Sequence, residues 1–105
     1  MEDITSEELK KRLDNKEDLN IIDVREPHEY DEVNIGVKNI PLGSLPNKVG
    51  ELSHLKDQEL IVHCRSGARS ANAKKFLEQQ GFTKVRNLLK GIQGYTQLVE
   101  EDDEQ

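Results

Sequence analysis

The sequence predicts an α/β fold built on a mainly parallel sheet with helices on both of its faces. Short apolar, β-branched runs recur along the chain, at Leu19 to Val24, Glu59 to His63 and Lys84 to Leu88. Segments with apolar residues at helical spacing separate them. Strands and helices alternating at this pitch give parallel strands joined by crossover helices, which cover the sheet on both sides.

Each element has its own signal. Thr5 and Glu8 stand at capping-box spacing, Ile4 and Leu9 can form the staple around it, and Leu9 and Leu13 lie one turn apart. These predict a first helix from about Ser6 to Asn15. The run Leu19-Asn20-Ile21-Ile22-Asp23-Val24 reads as a strand, and Pro27 can open a short helix to about Asp31, because its missing N–H had no partner to lose. Val37 to Ile40 is a weaker strand, stopped by Pro41. Leu45, Val49, Leu52 and Leu55 then give helical spacing over Ser44 to Leu55. Glu59 to His63 is the next strand, followed by a helix from Ser70 to Gln80 with Ala73, Phe76 and Leu77 on one face. Gly81 closes that helix where a left-handed residue is preferred, and Phe82 supplies the accompanying apolar contact. Lys84 to Leu88 is a further short strand, and Ile92, Tyr95 and Leu98 mark a last helix.

The bulk numbers suit one domain. Of 105 residues, 28 are Leu, Ile, Val or Phe, enough for a modest core and above the share typical of disordered chains. The formal net charge is −6, but Glu100 to Glu104 supply five acidic charges in one block. The body is therefore nearly neutral, and neither a nucleic-acid-binding stripe nor a basic membrane patch is evident. The acidic end is expected to be a solvated, frayed tail. With one cysteine there is no internal disulfide, and His28, His54 and His63 lie too far apart in sequence to suggest a metal site. The first residues lack the basic start and apolar run of a signal peptide, and no window is long enough to span a membrane. A reducing, cytoplasmic setting is the expectation.

Cys64 opens the run Cys64-Arg65-Ser66-Gly67-Ala68-Arg69-Ser70, directly after Leu60-Ile61-Val62. Open parallel sheets bind ligands at the carboxyl ends of their strands, where this loop falls together with Asp23 and Arg25. An unpaired cysteine ordinarily acts as a small buried hydrophobe. Two arginines and a glycine within five positions argue instead for a reactive thiol. Backbone N–H groups at a helix start favour ionisation of a thiol placed there, and Arg65 and Arg69 add fixed positive charge. The expected species is a thiolate. Gly67 is read as a position needing positive φ or room for an anion. Ser66 and Ser70 could donate hydroxyls to the sulfur, or Ser70 could cap the helix. Arg69 either meets an anionic substrate or pairs with a carboxylate and braces the loop. His63, one position before Cys64, faces the other side of a strand and is given a structural role. His28 and His54 are read as surface residues, Lys74 and Lys75 as a solvated helix face, and Arg25 with Glu29 as an intrahelical ion pair.

Taken in order, these residues resemble the single-domain rhodanese, or thiosulfate sulfurtransferase, family. The likeness runs through Ile21 to Arg25, Glu29-Tyr30, Asn39-Ile40-Pro41-Leu42, Val62 to Ser70, the Ala73/Leu77 helix, Gly81-Phe82 and Leu88 to Gly91. Many relatives have Gly-His-Ile-Pro-Gly-Ala where this chain reads Val33 to Lys38, and Gly-Gly followed by Trp where it reads Lys90 to Tyr95. Tyr95 is the candidate to replace that Trp in packing. The resemblance implies a rhodanese-like domain over residues 1–99 with a central five-stranded, mainly parallel sheet, followed by the tail 100–105. It also implies that Cys64 carries sulfur and that Arg65, Ser66, Gly67, Ala68 and Arg69 cradle the anion, with no metal and no cofactor.

The residue types support the same chemistry. A Cys64 thiolate attacking the outer sulfur of thiosulfate or a related persulfide donor releases sulfite or a thiolate and keeps a persulfide. A nucleophile then accepts the sulfur: cyanide in an assay, a thiol in the cell. The expected partners are a small anionic sulfur donor and a thiol or cyanide acceptor, or a protein donor or acceptor, with no nucleic acid and no membrane. A Cys-dependent phosphatase or arsenate reductase would put five residues between Cys and Arg, where this loop has four, and no general acid for an alkoxide leaving group is apparent. A non-catalytic interaction module on the same fold would be expected to have lost the nucleophile, which this chain retains with both arginines.

Overall fold

The computed structural model describes residues 1–103. Its first helix, α1 (Ser6–Asp14), starts where the capping signal places it, with Thr5 Oγ1 accepting the Glu8 N–H at 3.1 Å. The reciprocal half of the box is replaced: Glu8 turns its carboxylate to Arg86, at 2.6 and 2.9 Å. Ile4 and Leu9, on either side of the cap, are fully buried in one apolar cluster.

Among the described residues, β1 (Ile21–Asp23), β2 (Lys38–Asn39), β3 (Leu60–His63) and β4 (Val85–Asn87) form one parallel sheet in the order β2-β1-β3-β4. The five strands expected are thus four. Where a fifth would lie, outside β4, there is a single parallel bridge between Ile4 and Leu88. Thr5 caps α1 immediately afterwards, so the segment cannot continue as a strand beyond Ile4. Asp3 compensates by accepting the Asn87 N–H on its side chain, at 3.0 Å.

Side chains alternate across the strands and build two cores. Ile22, Leu60, Val62 and Val85 face one cluster with Leu45, Leu52, Ala73, Leu77 and Phe82. Ile21 and Ile61 face the other with Ile4, Leu9 and Leu88, and Tyr95 packs against it. Helices thus cover both faces, α4 (Ala68–Gln79) on one and α1 with α5 (Gly91–Asp103) on the other. The expected helix over 44–55 is divided. A 3₁₀ turn (Leu42–Ser44) leads into a short α3 (Leu45–Lys48) and a second 3₁₀ stretch (Val49–Leu55). The apolar residues explain this, since Val49, Leu52 and Leu55 repeat every three positions, the period at which 3₁₀ side chains eclipse. At the end of α4, Phe82 N donates to Leu77 O (3.1 Å) and Gly81 N to Glu78 O (3.2 Å), the paired bonds of a Schellman stop.

Before the second strand, α2 (Pro27–Glu32) has Glu26 at its N-cap. Helix α5 carries helical geometry to Asp103, into the acidic block, and Asp102 pairs with Lys10 at 3.2 Å. Residues 104 and 105 of the expected tail lie outside the described residues. No helix among them is long and apolar enough to cross a membrane.

Candidate active site

Strand β3 ends at His63, and the next residue, Cys64, continues the alternation of Leu60 and Val62 into the first core cluster. Its side chain is 1% exposed, yet its sulfur is not surrounded by apolar atoms alone. Gly67 takes φ +108°, the left-handed region that glycine enters without a Cβ penalty, and caps α4. The chain therefore doubles back, and α4 starts at Ala68, two residues ahead of the expected Ser70. This turns the Gly67 N–H (3.1 Å), the Ser70 N–H (3.4 Å) and Ser70 Oγ (3.3 Å) toward Cys64 Sγ. Burial pushes the thiol up; the Ser70 hydroxyl and the amides of Ser70, Gly67 and Ser66 outweigh it, leaving Cys64 below the ordinary thiol value. The direction is the one that favours the thiolate form. The source is hydrogen bonding from the loop and helix start more than arginine charge.

The arginines divide. Arg69 is committed to a fork on Glu29, Nη1 to Oε1 at 2.6 Å and Nη2 to Oε2 at 2.9 Å, and Glu29 Oε1 also accepts the Glu26 N–H at 3.0 Å. The Arg69 fork holds the Glu29 carboxyl down to about 2. This corrects the expected Arg25–Glu29 ion pair: Arg25 precedes α2, so its spacing from Glu29 is not intrahelical, and it meets only the Glu29 backbone carbonyl, at 3.4 Å. Arg25 is instead buried against Asp23, with Nη2 2.7 Å and Nε 3.1 Å from Oδ2, and it donates to Val33 O at 2.7 Å. Arg65 is exposed, and no hydrogen bond or ion pair of its side chain is found among the described residues. It lines a cavity of about 510 Å³ between α2 and the start of α5, with Arg25, Glu29, Val33 and Ile92. Cys64 is not in that wall. Ser66 and Ala68 are exposed on the loop, their side chains away from the sulfur contacts given above.

His63 is fully buried, its Nδ1 3.4 Å from Cys64 O and its Nε2 unpartnered, with Asp23 Oδ2 3.7 Å away. Burial holds it below the ordinary histidine range, with Asp23 opposing, so it is neutral near pH 7. No group of metal-binding side chains is found among the described residues.

The loop-supporting roles of three residues were not assigned from the sequence, although a carboxylate brace on Arg69 was one of its two alternatives. Glu29 braces Arg69 across 40 positions, which no local spacing could reveal. Asn87, at the end of β4, donates to Gly67 O at 3.1 Å and accepts from Ser70 Oγ. Gly91, at φ +58°, lets the first amides of α5 close on the loop, with Ile92 N donating to Cys64 O (2.9 Å) and Gln93 N to Arg65 O (3.1 Å). A Cβ there would sit 2.4 Å from Arg65 O. The sequence signal for Gly91 was its place just before the last apolar helical pattern.

A parallel sheet with a cysteine-opened, amide-lined loop at its carboxyl edge defines a class, and residues 5–98 match the model of the rhodanese-like domain. The chain belongs to that family. It is 38% identical over 91 residues to a sulfurtransferase of Allochromatium vinosum, covering 86% of this chain and 83% of that one. A Bacillus subtilis protein named as a sulfur carrier is 39% identical over 99 residues, 93% of this chain and 52% of that one, so this chain spans about half of it. Among solved structures, a rhodanese-related protein of Thermoplasma volcanium superposes with a TM-score of 0.79 at 29% identity, covering 93% of both chains.

Proposed function

We propose that this protein is a sulfurtransferase that moves sulfane sulfur through a persulfide on Cys64. The observation that carries the reading is the convergence on one sulfur of two backbone amides, Gly67 N–H at 3.1 Å and Ser70 N–H at 3.4 Å, with the Ser70 hydroxyl oxygen at 3.3 Å. The Cys64 thiolate attacks the outer sulfur of thiosulfate, the new S–S bond forms as the old one breaks, and sulfite leaves with its electron pair. No proton moves in this half-reaction. Both reactants are anions, so their approach in a weakly screened loop requires compensating charge. Arg65, whose guanidinium has no partner among the described residues, meets the donor, while Arg69 holds the loop through Glu29. The amides of the loop, Ser66 to Ala68 included, cradle the terminal persulfide sulfur until a thiol, small or protein-borne, accepts it, or cyanide does so in an assay. A free cysteine nucleophile suits a reducing compartment such as the cytoplasm.

The test is intact mass after incubation with thiosulfate. One added sulfur atom is expected on the wild type and none on Cys64→Ser, with thiocyanate appearing when cyanide is added. A wild type that gains no sulfur and makes no thiocyanate refutes the proposal.

A further inference from the structure

Ser70 has one hydroxyl proton and three acceptors around it: Asn87 Oδ1 at 2.5 Å, Gly67 O at 3.3 Å and Cys64 Sγ at 3.3 Å. Cys64, Ser70 and Asn87 are buried and Gly67 is half-buried. Asn87 fixes the outcome. Its Nδ2 donates to Gly67 O at 3.1 Å, and turning the amide over would set two oxygens against each other. Oδ1 therefore faces Ser70, and an amide oxygen only accepts. Of the three contacts, the one to Asn87 is the shortest and therefore the strongest claim on the Ser70 proton. Oγ then shows lone pairs to the sulfur, an arrangement that accepts a thiol S–H and opposes a thiolate.

We propose that Asn87 is a positioning residue that holds the Ser70 hydroxyl proton while the Cys64 sulfur is neutral and yields it when that sulfur becomes an anion. Ionisation sends the thiol proton to solvent, the hydroxyl turns about its Cβ–Oγ bond, and no other bond changes. If the sulfurtransferase reading holds, Sγ is neutral again in the persulfide, where charge sits on the outer sulfur, so the hydroxyl returns to Asn87 once sulfur is loaded. The competition also has a kinetic use. Every donor to a thiolate lowers its nucleophilicity along with its pKa, and Asn87 keeps the third donor from being fully engaged.

Charged or titratable groups on the elements around the sulfur and Asn87 are Arg65 and Arg69 on the loop, Glu29 of α2 through Arg69, Asp23 of β1 with Arg25 just after it, His63 of β3, Asp3 on the Asn87 N–H with Lys74 of α4 on it, and Lys90 ahead of α5. None of them hydrogen-bonds Sγ, and none is altered in the test.

Cys64 is the sole cysteine, so the pH dependence of its alkylation by iodoacetamide, followed by intact mass, reports one group. Asn87→Ala frees the Ser70 proton and is expected to lower the alkylation midpoint by about one pH unit, a tenfold rise in thiolate well below the midpoint. Ser70→Ala raises it, and adding Asn87→Ala to Ser70→Ala changes it no further. If Asn87 matters only by anchoring Gly67, its removal loosens the loop and raises the midpoint in both backgrounds, which overturns the proposal. The near-isosteric Asn87→Asp retains the acceptor and adds charge, so its midpoint rises; a fall there overturns the proposal even if the alanine variant fails to fold. Alkylation needs no sulfur donor, so these outcomes stand apart from whether thiosulfate loads the protein.

Discussion

Replacing Gly91 by alanine tests whether α5 sets the geometry of the Cys64 loop. The new Cβ would lie 2.4 Å from Arg65 O and 2.5 Å from Cys64 O, inside the 3.0 Å that real Cβ contacts respect. Both obstacles are backbone, so no rotamer relieves them. The loop and α5 must part by roughly half an ångström or more, straining the bonds from Ile92 N to Cys64 O and from Gln93 N to Arg65 O. Two such bonds contribute about 1 kcal/mol each, and alanine at φ +58° costs about 1–2 kcal/mol more. The expected loss is about 3–4 kcal/mol, a large part of the roughly 5–15 kcal/mol that holds a domain of this size. In urea this lowers the midpoint by about 2 M if the slope is near 2 kcal/mol per molar. Displacement of the amides that face Sγ should also slow sulfur loading, by up to about 100-fold. Gly36→Ala is the control: it shares a positive φ of 80° but nothing lies within 4 Å of its Cβ. If Gly91→Ala behaves like Gly36→Ala in urea and loads sulfur at the wild-type rate, the close approach of α5 does not organise the loop.

Two further predictions concern charge. Glu29→Gln removes an acceptor that Arg69 holds ionised down to about 2. A carboxylate with a depressed folded value stabilises above its unfolded value, near 4.5, and loses that contribution as pH falls toward 2. Wild type should therefore be the more stable by about 1 kcal/mol or less at pH 6, the fork being partly exposed, with the two converging near pH 2; a gap that persists in urea titrations at pH 2 contradicts this origin. Arg25→Met leaves Asp23 fully buried without its cation, and loss of one partner of a buried pair costs about 3–5 kcal/mol; a thermal midpoint within a few degrees of wild type would show that the pair is dispensable.

The α/β architecture was legible because its signals are local. The Thr5 cap, the β-branched runs at Ile21 and Ile61 and the Gly81 stop each act within a few residues, and each element appears where they place it. The 44–55 segment was misread because spacings of three and four were pooled, although the 49, 52, 55 pattern belongs to a 3₁₀ helix. The fifth strand was expected from the resemblance alone, and the early α1 cap limits it to one bridge. In the site, the Cys64 loop was visible as a contiguous motif and the turn at Gly67 followed from its residue type. The roles of Glu29, Asn87 and Gly91 at the loop were hidden because each reaches it from another element, across 20 to 40 positions or through backbone contacts that no side-chain pattern encodes.

The bridge at Ile4 has a consequence for handling the chain. Asp3 and Ile4 occupy backbone groups of Asn87 and Leu89 along the outer side of the last strand, and Lys74 clamps Asp3 at 2.7 Å. Trimming past these residues would bare a strand edge with unpaired amides, an open template for another molecule to add to. Asp3 and Ile4 thus act as a gasket along that edge.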